Sequence, residues 1–457
     1  METRTNLLKG NILTALVAMA LPIMATSLLQ MAYNMTDMIW IGRVGSNSVA
    51  AVGAAGMFVN LASGLSAFLR VGGQVTVAHS YGAGEKQTAA LYARNALQMG
   101  VILSLAYSLI VCLFHGPFIA FFGFTNQEVV RDAEIYLLIM GIFTLFNVIN
   151  PIFTAVITAT GNSQTPFKIS AVGLVINLIL DPILIFGLGF FPAMGVLGAA
   201  VATVFAQFIV FMLYLRYMHK DAQVFGQMHL FQKLDRSAMA SITRIGLPAT
   251  IQSVMFNGIS MAIGRIIASW GETAVAVQKV GIQVEAISYM AAEGFSAATN
   301  SFIAQNYGAH QFDRAKKGYS TSLKVMMAWG VITTCVLVFF PAQIFQVFIN
   351  EPDVIPLGVD YLRILGYSQL FMCMEILTSG AFSAYGKTTP PSVVSILFTT
   401  MRIPMAILLG KTALGLNGVW WSISLSSMFK GVILVVMFTF FMHRFEEKIR
   451  QNKIYDE

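Results

Sequence analysis

Charge is what this 457-residue chain has least of. Only 11% of it is Asp, Glu, Lys or Arg, against roughly 25% in a soluble domain. With 56% of the residues hydrophobic, too little polar surface remains for a water-soluble fold. Cysteine is also scarce. Cys112, Cys335 and Cys373 each sit inside an apolar run with no CxxC spacing, which excludes a disulfide framework and a Cys-based metal centre. Six histidines are present, but no HExxH, no GxSxG and no His pair at ligand spacing, so nothing points to a membrane-embedded hydrolase. The net charge of +7 does not imply a nucleic-acid partner, because the basic residues are scattered through short connections rather than gathered in a patch.

What is present is hydrophobic length. Apolar runs near or above the roughly 20 residues needed to cross a bilayer recur from end to end. Charges, glycines and prolines divide them into twelve predicted spans: 12–41, 49–78, 92–115, 133–158, 168–188, 195–217, 240–269, 275–303, 319–345, 358–383, 392–410 and 418–442. The first run follows Arg4 and Lys9 without a small-residue cleavage pattern, so it reads as a span rather than a signal peptide. Basic residues such as Lys86, Arg94, Lys168, Lys220, Arg236, Lys316, Lys387 and Arg444 fall at the termini and in or just beside the even-numbered connections. The odd-numbered connections hold only Arg43, Arg131 and Lys411. The positive-inside rule therefore predicts both termini in the cytoplasm. The polar stretch 218–239 reads as a cytoplasmic linker between an N-lobe (1–217) and a C-lobe (240–457).

The two halves repeat. Leu21-Pro22 returns as Leu247-Pro248, and Tyr81-Gly82-Ala83 as Tyr307-Gly308-Ala309, each 226 residues on. Val49-Ala50-Ala51-Val52 lies opposite Val275-Ala276-Val277-Gln278 at the same offset. Gly161-Asn162-Ser163-Gln164-Thr165-Pro166 faces Gly386-Lys387-Thr388-Thr389-Pro390-Pro391 at 225, and Gly195-Val196-Leu197-Gly198 faces Gly415-Leu416-Asn417-Gly418 at 220. Five matches in order indicate duplication. Each half has six spans, so the repeat is parallel, an arrangement that transporters use to alternate access to a mid-membrane site.

Ionisable groups inside spans are costly and mark function by default. The first half places Asp37 late in its first span, and Asn177 and Asp181 in its fifth. The latter two are four apart and share a helix face, ahead of Pro182. Two carboxylates with an amide oxygen and a hydroxyl form a hard-oxygen cage for Na⁺. If close together, the carboxylates could instead share a proton, because like charges disfavour double ionisation. The second half lacks these acids: Ile263 stands opposite Asp37, and Arg402 opposite Asn177. It offers Glu375 in mid-span, with Glu285, Glu293, Gln252, Gln278, Lys279 and Gln283. Glu375, Gln252 and Gln283 are the candidates for substrate binding, and a structural alternative pairs Glu375 with Arg402, Arg363 or Arg265. The 26 methionines and 35 phenylalanines could line an adaptable cavity for flat apolar ligands, although packing and lipid contact explain most of them.

At these residues the chain resembles the multidrug and toxic compound extrusion (MATE) family over essentially its whole length. The resemblance is carried by Leu21-Pro22, Asp37, Gly42 and Ala50-Ala51-Val52-Gly53; by Tyr81-Gly82-Ala83-Gly84 and Tyr307-Gly308-Ala309; and by Asn177-xxx-Asp181-Pro182 followed by Gly198-Ala199-Ala200-Val201-Ala202-Thr203. It implies an all-α membrane protein of twelve transmembrane helices in two pseudo-symmetric six-helix bundles. The implied N-lobe cation site for H⁺ or Na⁺ consists of Asp37, Asn177, Asp181 and Thr203. Glu375 is similar to an acidic position of a branch that also has a seventh-span Glu, but here 240–269 contains no acid. The implied activity is export of cationic, aromatic drugs or toxins across the cytoplasmic (inner) membrane in exchange for H⁺ or Na⁺. The protein would act as a monomer in lipid, with no cofactor beyond the coupling ion. The alternative is a lipid-linked oligosaccharide flippase of the same superfamily, which would need strongly basic residues in its cavity for a pyrophosphate.

Overall fold

In lipid a backbone must satisfy its own hydrogen bonds, and the apolar runs of this chain do so as helices. The computed structural model describes residues 4–189, 191–221, 223–228, 232–349 and 351–455. The first half contains α1 (Ile12–Val44), α2 (Ser46–Leu65), α3 (Ala67–Gly82), α4 (Lys86–Ala120), α5 (Gln127–Ile142), α6 (Thr144–Ala159), α7 (Gln164–Phe186) and α8 (Val196–Lys220). The second contains α9 (Arg236–Ala268), α10 (Glu272–Gly308), α11 (Phe312–Phe339), α12 (Pro341–Gln346), α13 (Ile355–Gly366), α14 (Gln369–Ala384), α15 (Thr389–Thr400), α16 (Arg402–Gly410) and α17 (Leu416–Tyr455). No strand occurs among the described residues.

All twelve predicted spans are helical. Several consist of two abutting helices, such as α2 with α3 across Ser66 and α15 with α16 across Met401. By length and apolarity alone, nine spans qualify among the described residues, or ten when α5 and α6, bent by 48°, count as one. The other two are α10 and the α13–α14 pair. They carry Glu272, Lys279, Glu285 and Glu293, and Asp360, Arg363 and Glu375, respectively. The segments least like lipid-soluble helices are those that hold the second half's intramembrane acids.

The closest division, between α7 and α8, depends on glycine. Gly187 ends α7 in the left-handed region at φ +73°, and a Cβ there would lie 2.4 Å from the Ala193 nitrogen. Side chains that need β or αR backbone cannot make this turn.

The repeat extends to packing. A Cβ on Gly198 would sit 2.5 Å from the Leu184 carbonyl oxygen, and one on Gly418 would sit 2.4 Å from that of Leu409. Gly141 abuts Val111 as Gly366 abuts Leu337. Each second-half residue lies 220 to 226 positions after its first-half counterpart, so equivalent helices touch at equivalent atoms. Small residues at such points let helix backbones approach closely in lipid.

The chain forms two compact units, each drawing on both halves. The first contains residues up to Asn6 and Ala25–Thr250; the second contains Leu7–Met24 and everything from Ile251. The division falls two residues after Pro22 in α1 and two residues after Pro248 in α9. Within the first unit, the early part of α9 lies against α3, where Gly72 meets the Ile242 backbone and Gly246 meets that of Phe68. Within the second, the early part of α1 lies against α10, where Gly294 meets Met24. Proline suits such a division because it removes one helical hydrogen bond and loosens the turn.

Of the connection expected at 218–239, residues 222 and 229–231 lie outside the described residues. Its start is anchored: Arg4 Nη2 meets Asp221 Oδ1 at 2.7 Å. Asp221 Oδ2 accepts from the Val224 and Phe225 amides at 3.1 and 3.0 Å. Burial alone would weaken the Arg4 guanidinium as a base, but Asp221, with Tyr81 and Tyr217, outweighs it and raises the group above its ordinary value.

Candidate functional site

Three helices of the first unit bring polar residues together as pairs four apart. These are Tyr33 and Asp37 on α1, Asn177 and Asp181 on α7, and Thr203 and Gln207 on α8. A spacing of four puts each pair on one face. Asn177 and Asp181 are wholly buried, Thr203 is buried and Asp37 is half-buried. Asn177 Nδ2 donates to Asp181 Oδ1 at 3.0 Å. Asp181 lies within electrostatic reach of Asp37, and the Tyr33 hydroxyl lies beside Thr203 and Gln207. Tyr136 of α5 closes the cluster, within reach of Asp37, Asp181 and Tyr33. Gln207 is itself held, because Asn150 Nδ2 donates to its backbone oxygen at 3.0 Å and to its Oε1 at 2.8 Å.

The four sequence-predicted cation residues are thus in one place. Tyr33, Tyr136 and Gln207 belong there too and were not singled out. The signal for Tyr33 and Gln207 was the spacing of four from Asp37 and Thr203.

The chemistry of the cluster lies in its spare acceptors. Asp37 Oδ1, Asn177 Oδ1, Asp181 Oδ2, Thr203 Oγ1 and Tyr33 Oη are all sealed from solvent, and none has a hydrogen-bond partner in the protein. Buried polar atoms normally find partners. Five unpaired oxygens together, two of them from carboxylates, suit a small hard cation or an exchangeable proton. Pro182, lacking an N–H, also leaves the Leu178 carbonyl without its helical donor.

The second unit gathers ionisable groups of both signs. Glu375 of α14 is paired, but with Lys430 of α17 rather than with Arg402, Arg363 or Arg265. Lys430 Nζ lies 2.8 Å from Glu375 Oε1, which also accepts from Ser395 Oγ at 3.1 Å. Lys430 went unnoticed because it sits in the last span, remote in sequence from any acid. Arg363 and Arg265 are exposed. Arg402, at the start of α16, is buried; its Nε donates to Ser426 Oγ at 2.6 Å and its Nη2 to Ser427 Oγ at 3.0 Å. Of the other candidates, Gln252 is half-buried, while Gln283 and Glu293 are exposed. Glu285 keeps Oε1 buried without a partner.

Comparison with known proteins agrees with this architecture. The MatE family profile matches twice, over residues 22–183 and 248–408, so each copy begins at the proline after which the units divide. The chain belongs to the MatE family. This MatE member is therefore a multi-pass membrane transporter and not an enzyme. It is 26% identical over 429 residues to the probable multidrug resistance protein NorM of Thermotoga maritima, covering 93% of this chain and 91% of that protein. It is 23% identical to the FAD transporter of Shewanella oneidensis, covering 94% and 95%. Its fold matches the outward-facing conformation of a multidrug resistance MATE family transporter of the MOP superfamily, with a TM-score of 0.86 at 23% identity over 97% of this chain and 99% of that one.

Proposed function

We propose that this MatE protein is a secondary multidrug efflux antiporter of the cytoplasmic membrane, with both termini in the cytoplasm. It exports cationic aromatic compounds in exchange for H⁺ or Na⁺ bound at Asp37, Asn177, Asp181 and Thr203. The observation that carries this reading is the set of unpaired, buried oxygens in the first unit. Buried oxygens left without hydrogen-bond partners, two of them from carboxylates, are expensive in a membrane-spanning segment unless a cation visits them. Relatives named for multidrug resistance support drug-like cargo.

The coupling ion is a second substrate. When it binds, it supplies the positive charge that the two carboxylates and the neutral oxygens converge on. Asn177 orients Asp181 through its amide donor, and Asn150 fixes Gln207 behind Thr203. Asp37 and Tyr33 lie on the part of α1 beyond Pro22, so occupancy of the cluster acts on a helix with a built-in loose turn. Drug and ion each weaken the other's binding, as reciprocal linkage requires of an exchanger.

The test is ethidium efflux from energised vesicles, comparing the natural protein with Asp37→Asn and Asp181→Asn. A Na⁺ gradient alone and then a H⁺ gradient alone would be imposed. Export under one gradient by the natural protein, and its loss in both variants at normal membrane insertion, is the expected result and names the ion. Variants that export as well as the natural protein would remove the coupling role from this cluster.

A further inference from the structure

The repeat aligns the cation cluster of the first unit with a definite place in the second, and there the sign is inverted. Arg402 stands 225 positions after Asn177, Ala406 the same distance after Asp181, and Ile263 stands 226 after Asp37. Tyr136 recurs as Tyr361 at 225. Each tyrosine occupies the same relation to its own site: Tyr136 within reach of Asp37 and Asp181, Tyr361 within reach of Arg402 and Glu285. The second unit has therefore kept the frame while replacing two cation-binding acids with apolar side chains and an amide with a guanidinium.

That guanidinium is not neutralised at contact. Arg402 is only 7% exposed, its two engaged nitrogens donate to serine hydroxyls, and its face lies 5.8 Å from the centroid of the Phe256 ring. No carboxylate comes within ion-pair distance of it among the described residues, and Nη1 has no protein partner there. Glu375 and Glu285 both lie within electrostatic reach of it without closing a pair, Glu375 the more strongly, but Glu375 is already held by Lys430 at 2.8 Å. A cation held this way in a membrane span needs a reason, and the arginine fork is shaped for an oxyacid. Phe256, 45% exposed, adds a flat apolar platform beside it.

We propose that Arg402 is a receptor for the acid group of carboxylate-bearing aromatic substrates, with Glu285 as the internal counter-charge that such a group displaces. This subsite gives the transporter a substrate class beyond plain cations. It rests on the efflux reading for its purpose but not on the coupling assignment.

The test uses a matched pair of dyes, rhodamine 110 with its free carboxylate and rhodamine 123, the methyl ester of the same molecule. Binding to the purified full-length protein would be measured by fluorescence anisotropy in detergent without any gradient. Arg402→Gln is expected to weaken rhodamine 110 by about tenfold or more and to leave rhodamine 123 within about twofold. Glu285→Gln is expected to act in the opposite direction, tightening rhodamine 110 severalfold. If Arg402→Gln fails to insert, the Glu285→Gln result decides alone. Equal effects on acid and ester, or a weaker grip on rhodamine 110 in Glu285→Gln, would overturn the proposal. Failure of the coupling reading would instead show as undiminished efflux in the Asp37 and Asp181 variants, leaving the acid-to-ester ratio untouched.

Discussion

Breaking the buried pair in the second unit should cost far more than deleting it. Lys430 and Glu375 meet at 2.8 Å with side chains 4% and 12% exposed. At that separation their attraction is about 6 kcal/mol for an effective dielectric of about 20, set against the desolvation of both ions. Lys430→Met leaves Glu375 with the Ser395 hydroxyl as its only hydrogen-bond donor. Glu375→Gln leaves Lys430 without a counter-ion. Each single change is expected to cost about 3–5 kcal/mol, while the double variant, apolar and amide together, should lie within about 2 kcal/mol of the natural protein. The coupling energy of the cycle is then at least about 4 kcal/mol. Unfolding of the purified protein in mixed micelles by titration with SDS, followed by tryptophan fluorescence, measures all four forms. Single variants each costing under about 1 kcal/mol and adding to the double would refute a closed, load-sharing pair. They would return Glu375 to the pool of free substrate-binding acids.

Gly198→Ala and Gly418→Ala should each destabilise by about 1–3 kcal/mol in the same titration, because the new methyl meets the Leu184 or Leu409 carbonyl, which is backbone and cannot swing aside. Gly64→Ala on α2, with nothing within 4 Å of a new Cβ, should be neutral or slightly stabilising. Arg4→Ala should speed limited proteolysis within 218–239, since it removes the 2.7 Å pair that holds Asp221 in place. Because Arg4 is raised above its ordinary value by Asp221, Tyr81 and Tyr217 despite its burial, it stays charged at every workable pH. Any loosening between neutral and mildly alkaline pH would therefore have to come from another group.

The parts legible in sequence were those written as pattern. Span positions and the duplication came from hydrophobic length and recurring motifs, Asp37 and Asp181 from the cost of acids in apolar runs, and the full set with Asn177 and Thr203 from the family resemblance. The structure brings those four into one buried cluster. Partners fixed by packing between distant helices were not legible. Lys430 reaches Glu375 from a span more than 50 residues away, and no local spacing encodes that meeting. Nor could the sequence show that each unit takes the opening turns of the other half's first helix. The prolines marked the positions, but only the packing of Gly72 on Ile242 and of Gly294 on Met24 reveals which unit those turns join.

The two units have diverged at one shared frame rather than by acquiring new frames. Helix contacts at Gly198 and Gly418, the tyrosines at 136 and 361, and the start of each family match at a proline are all retained. The electrostatics are not: the first unit brings the carboxylates of Asp37 and Asp181 within reach of each other, while the second sets Glu285 and Glu375 among Arg402 and Lys430. A site short of positive charge can gain and lose a cation in each cycle. A site that carries its own cations covalently has less need of a visiting one. On the proposed reading, exchange belongs to the first unit, and the fixed charges of the second are free to discriminate among cargoes. Asp181→Asn should accordingly abolish coupling without altering the acid-to-ester binding ratio, whereas Arg402→Gln should alter that ratio and leave the choice of driving ion unchanged.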